Sequence, residues 1–149
     1  MEELMCLCRK HGIKLMYVFG SRVGVALEIL SGHQPPALDP LADLDIGVVL
    51  STPLPQGIKR ARLYSLLFND LEDLFLPFAV DLVLLEENHS VFQAEAVRGR
   101  CIFAASLEAK YEYEESVLRR SADFRPFLER YYAEHLEVVT RAQQAHHPK

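Results

Sequence analysis

Apolar positions in this chain fall into two kinds of block, short unbroken runs and longer stretches with helical spacing. Ile13 to Phe19 is nearly all apolar and ends on Gly20, so it predicts a buried strand. Leu44 to Leu50 predicts a second strand, and Ala79 to Leu85 a third. Between them, apolar residues recur at helical intervals. Glu2 to Lys10 predicts a short amphipathic helix closed by Gly12, with Leu4, Met5 and Cys8 apolar. Arg22 to Leu30 predicts a helix that stops at Ser31-Gly32. Ile58 to Leu74 predicts a long one with Leu63, Leu67, Leu71 and Leu74 on one face. Ser90 and Gln93 form a capping-box pattern that opens a helix ending near Gly99. A brief strand from Cys101 to Ala104 follows, and Ser106 caps a long C-terminal helical region that Pro126 is expected to divide after Arg125. Strands interleaved with helices predict an α/β (α+β) fold with a short mixed sheet. Pro35, Pro36 and Pro40 mark a loop over 33–40, and Asp39-Pro40 a turn within it.

The length of 149 residues predicts a single domain over 1–149, with a core over about 12–105 and the helical region over about 106–142. A formal charge of -5 argues against a general nucleic-acid binder. No apolar stretch is long enough to span a membrane, which takes about 18 residues. The N-terminal residues lack the pattern of a signal peptide, so a cytoplasmic protein is expected. Three cysteines suit a reducing compartment, and Cys6 and Cys8, two apart on a helix, face different directions and would not share a metal.

The candidate chemistry lies at strand ends. A strand, a Gly20-Ser21 turn and the start of a helix at Arg22 bring backbone N–H groups, a hydroxyl and a helix N-terminus together, which suits a phosphate. In Asp43-Leu44-Asp45 the two carboxylates share one face of a strand, ~6.6 Å apart at Cα, and can converge on divalent cations. Asp81 lies inside the third apolar run, where an ionised carboxylate is costly without a cation or a donor. Lys59, Arg60 and Arg62, at a helix start, predict a solvated face. His33 and His89 predict surface loop positions. Tyr111, Tyr113, Tyr131 and Tyr132 predict an exposed aromatic cluster suited to an interface.

Taken together, Gly20 and Ser21, then Asp43 and Asp45, then Asp81, resemble the DNA polymerase β-type nucleotidyltransferase superfamily, in its small minimal nucleotidyltransferase (MNT) branch. Ala122 to Glu129, with Tyr131, is similar to the C-terminal segment of bacterial MNT antitoxins paired with HEPN toxins. The resemblance implies a polymerase β-like fold in which Asp43, Asp45 and Asp81 hold two Mg²⁺ ions and serve catalysis. Gly20, Ser21 and Arg22 would hold the phosphates of ATP. It further implies transfer of AMP to a hydroxyl, a tyrosine of a partner HEPN-domain toxin, by an antitoxin that works as a hetero-oligomer or a homodimer. Two other readings use the same residues less fully: an antitoxin that masks its partner by contact alone, and an antibiotic nucleotidyltransferase. The latter generally carries a helical drug-binding domain for which this chain is short. Arg130 and His135 share the Arg-x4-His spacing of HEPN ribonucleases, but a lone helix does not supply that site. The chain departs from the family in the long segment 22–42, which is expected to be a surface extension that leaves the site intact.

Overall fold

The computed structural model describes residues 1–35 and 43–145. Asp39 and most of the expected proline-rich loop lie outside the described residues. The elements follow in the order α1 (Glu2–Lys10), β1 (Ile13–Phe19), a 3-10 turn (Gly20–Arg22), α2 (Val23–Leu30), β2 (Leu44–Leu50), α3 (Ile58–Leu74), β3 (Val80–Leu84), α4 (Ser90–Val97), β4 (Arg100–Ala104) and α5 (Leu107–Ala145). The strands form one mixed sheet in the order β3-β2-β1-β4. β1 is antiparallel to both its neighbours, and β2 runs parallel to β3. A parallel pair needs a crossover, which α3 supplies.

The apolar run of β1 has a simple cause: the strand is central and both its faces are covered. Met16 and Val18 pack in the larger core with α1, α2 and α3, where Leu67, Leu71 and Phe75 are fully buried. Leu15, Tyr17 and Phe19 point to the opposite face and pack with Leu85 and Ala96. On that face the Tyr17 hydroxyl donates to Glu114 of α5 at 3.1 Å, and burial pushes its pKa upward. Lys10 and His11 both reach Asp70 on α3, at 2.7 and 2.6 Å, and tie α1 down. These contacts hold the Asp70 carboxyl below its ordinary range. Cys6 is exposed and Cys8 buried, so the two thiols do diverge.

Three expectations differ from the fold. Pro126 lies within α5 and does not divide it. Its ring frees the carbonyl of Ala122, but this stretch is exposed and water can take the vacated bond. The capping box does not form, because His89 is the N-cap and its Nδ1 accepts from the Phe92 N–H. Gln93 is buried instead, donating to the carbonyls of Leu85 at 2.7 Å and Asn88 at 2.9 Å. Tyr113 leaves the exposed cluster: it packs beside Tyr17, its pKa pushed up to about 12 by burial. Ser106 caps as expected, accepting from Ala109 N–H at 3.0 Å. Among the described residues no helix is long and apolar enough to cross a membrane.

Candidate functional site

β2 and β3 alternate, and the alternation puts the acids on one face. Leu44, Ile46 and Val48 of β2, with Val80, Leu82 and Leu84 of β3, enter the larger core. Asp45 and Asp81 therefore project from the other face, and the parallel register makes them direct partners. Adjacent strands lie about 4.8 Å apart, so the two side chains leave the sheet side by side. Asp43 precedes β2 by one residue, fixed by the bond from Leu44 N–H to the Ala79 carbonyl at 2.9 Å. Asp81 is exposed and not enclosed in the core as its apolar neighbours suggested. The run that looked uniformly buried is buried on one face only at that position.

Asp45 is half-buried, and its carboxyl is raised above the ordinary carboxylate range, first by burial, then by the charges of Asp81 and Asp43. Among the described residues no cation offsets those three effects. The structure thus brings Asp43 and Asp81 each within electrostatic reach of Asp45. Among the described residues no three His, Cys, Asp or Glu side chains already close around a single point. A set of hard carboxylate oxygens, crowded and uncompensated, fits a divalent cation such as Mg²⁺, which takes oxygen ligands.

The turn after β1 meets this group directly. Phe19 is registered opposite Asp45. Gly20 has φ +74, and a Cβ built there would overlap the Asp45 carboxylate. Only glycine allows both that backbone conformation and that approach. Ser21 is exposed and Arg22 half-buried, in the 3-10 turn that leads into α2. The predicted phosphate seat and the predicted acids are therefore contiguous across the Gly20–Asp45 contact.

Other expectations sort by position. Arg60 departs from the expected solvated face: it is held by Glu87, through Nε and through Nη2 at 2.6 Å. Lys59 and Arg62 are exposed. His89 is exposed, and serves as the α4 cap. A cleft of about 660 Å³ opens beside Gly20, walled by Val23, Gly24 and Leu27 on one side and by Glu95, Arg98, Gly99 and Arg100 on the other. The signal for it was the Arg98-Gly99-Arg100 triplet, which in sequence marks no more than a helix end.

Known proteins were compared with this chain. No curated protein matches the sequence. Among solved structures, one chain of a mutant MntA–HpeT toxin–antitoxin complex superposes with a TM-score of 0.54 at 16% identity, covering 95% of this chain and 97% of that one. A toxin–antitoxin structure with AMP-PNP gives 0.52 at 17% identity, with coverage of 95% and 97%. A tri-AMPylated Shewanella oneidensis HEPN toxin in complex with MNT antitoxin gives 0.50 at 18%, with coverage of 95% and 94%. At such identities the likeness is one of fold. The family model described as "Polymerase beta, Nucleotidyltransferase" matches residues 2–108, the span that holds every residue of the site. By that match and by its four-stranded mixed sheet, the chain belongs to the polymerase beta nucleotidyltransferase family.

Proposed function

We propose that this protein transfers AMP from ATP to a hydroxyl of a partner protein, a tyrosine of a HEPN-domain toxin, and so acts as its antitoxin in the cytoplasm. The observation that carries the reading is the cross-strand pairing of Asp45 with Asp81, with Gly20 pressed against the Asp45 carboxylate. In a nucleotidyltransferase family, that closeness supports reading the turn as a phosphate seat beside a carboxylate group. The HEPN partner and ATP are supported by the fold's likeness to a tri-AMPylated HEPN toxin–MNT complex and to a toxin–antitoxin structure with AMP-PNP.

In this mechanism Asp43, Asp45 and Asp81 would hold two Mg²⁺ ions. Those ions, when bound, neutralise the triphosphate and lower the pKa of the attacking hydroxyl. Ser21 Oγ and the backbone N–H groups beyond Gly20 hold the outer phosphates, and Arg22 adds charge near them. Asp81, the more exposed of the paired acids, accepts the hydroxyl proton. A new bond forms between the acceptor oxygen and the α-phosphorus, the bond from that phosphorus to the bridging oxygen breaks, and pyrophosphate leaves. The chain itself makes no covalent bond; it positions groups and balances charge.

Labelled ATP and Mg²⁺ incubated with this protein and a HEPN-domain toxin test the reading. Wild type should label the partner, and Asp43→Ala with Asp45→Ala should not. Equal labelling by both would overturn catalysis. A contact-only antitoxin draws support from the exposed Phe127, Tyr131 and Tyr132 on α5; it predicts that the double variant still silences the toxin.

A further inference from the structure

The cleft beside Gly20 has a chemistry that the acids do not explain. Its rim carries Arg98 and Arg100 against one acid, Glu95, so it is net positive in a chain of formal charge -5. Arg98 donates to Glu95 at 2.5 Å, and Arg125 approaches the same carboxylate from α5 at 3.8 Å. Arg100 is exposed at the start of β4, and among the described residues it has no acidic partner. Three glycines line the walls. Gly99 is compelled, since a Cβ there would collide with the Val18 carbonyl and with Phe19. Gly24 is not compelled: a Cβ there meets nothing within 4 Å, because it would point into open space.

Resting on the nucleotidyl-transfer reading, the geometry points to this cleft as the place where the terminal phosphates extend beyond the Gly20-Ser21 turn, with Arg100 and Arg98 as side chains that hold them in addition to Ser21. Gly20 is shared: its backbone faces the Asp45 carboxylate and also lines the cleft. A triphosphate whose α-phosphorus lies at the acids can therefore run past Gly20 into a basic, side-chain-poor hollow. Phosphate oxygens suit the guanidinium fork, and charge-assisted bonds of this kind are the strong ones. On entry, the phosphate chain takes Arg98 from Glu95, and Glu95 keeps Arg125 as its counter-charge. Glu95 then also repels an anion that is too short to reach Arg98. Arg98 and Arg100 are positioning residues for the leaving pyrophosphate.

Calorimetric titration with ATP and with inorganic tripolyphosphate, each with Mg²⁺, tests this on the full chain. Arg100→Ala should weaken both ligands about tenfold, about 1.4 kcal/mol, with Arg100→Lys recovering part of the loss. Gly24→Met should weaken both by a similar factor while leaving Tm no lower than wild type, because Met is a better helix former than Gly. That combination separates a filled cleft from a damaged fold. If wild type binds ATP, and Gly24→Met or Arg100→Ala binds it equally well, the cleft is not the phosphate seat and nucleotidyl transfer stands without it. If wild type binds neither ligand, this inference and the reading beneath it both fall.

Discussion

Asp45 carries the sharpest consequence at the scale of single residues. Its carboxyl is raised by burial and by two like charges, so the folded chain without metal holds this proton more tightly than the unfolded chain does. A raised folded-state pKa contributes stability below the unfolded value, about 3.9 for Asp, and that contribution is lost as pH rises through the folded value. Near neutral pH the metal-free protein therefore carries an electrostatic deficit at this position. Asp45→Asn should raise the Tm of the metal-free protein at pH 7, and the difference should shrink as the pH falls toward 4. The same variant should show less of the Tm gain that Mg²⁺ gives wild type. A lower Tm for Asp45→Asn in chelator would mean that the carboxylate stabilises the fold, contrary to the burial and repulsion described. Its neighbour gives a second test. Gly20→Ala adds a Cβ where φ is +74 and where the Asp45 carboxylate already lies. Backbone strain alone should cost about 1–3 kcal/mol, and the displaced Asp45 should reduce transfer activity at least tenfold. Denaturant unfolding gives the first number and the labelling assay the second.

Elements show why part of this architecture was legible and part was not. β1, β2 and α3 were read with their observed bounds, because each is fixed by burial, which writes itself into composition. The three acids and the Gly20-Ser21 turn were also visible, since polar residues inside or beside apolar runs stand out. Two things depended on partners distant in sequence. Asp81 looked enclosed because Val80, Leu82 and Val83 surround it in the chain, yet the sheet covers only one face there. Arg100 looked ordinary because only β4 pairing with β1 brings it beside the turn: Arg100 is registered opposite Val18. Pro126 is a different case. The local rule is sound, but an exposed helix can lose one bond to water without stopping. Pro126→Ala should restore an N–H to Ala122 carbonyl bond. Backbone amides of the adjoining turn should then exchange more slowly by a factor that reflects up to about 3 kcal/mol of local stabilisation. Global Tm should move little, because this part of α5 packs against little of the core. Unaltered exchange around residue 126 would show that the helix is already fully bonded there.

For the whole molecule, α5 divides the protein into a part that folds and a part that presents a surface. Its proximal half is bound into the body: Val117 and Ser121 are buried, Glu114 takes the Tyr17 hydroxyl, and Arg120 reaches Gln93 at 3.3 Å. Beyond Arg125 the described side chains change character. Phe127, Tyr131, Tyr132 and Leu136 are all exposed, at 63, 48, 59 and 67%. Phe127 stacks on Phe124, and Tyr131 meets Tyr132 edge-on. Aromatic residues at such exposure contribute little to the core, whereas they are enriched at protein interfaces. Ending the chain after Arg125 removes those four residues and keeps the contacts of Phe124 with His89 and of Arg125 with Glu95. The shortened protein should unfold cooperatively within a few degrees of wild type and bind Mg²⁺-ATP as before. Its capture of the proposed HEPN partner should fall by at least a hundredfold, since loss of two or more aromatic anchors costs about 2 kcal/mol each. Labelling of that partner should fall with it at low partner concentration and recover as the concentration rises, because the proposed catalytic residues remain in place. A shortened chain that fails to unfold cooperatively would put the distal helix inside the folding unit. One that still captures the partner at wild-type affinity would move the interface to another face.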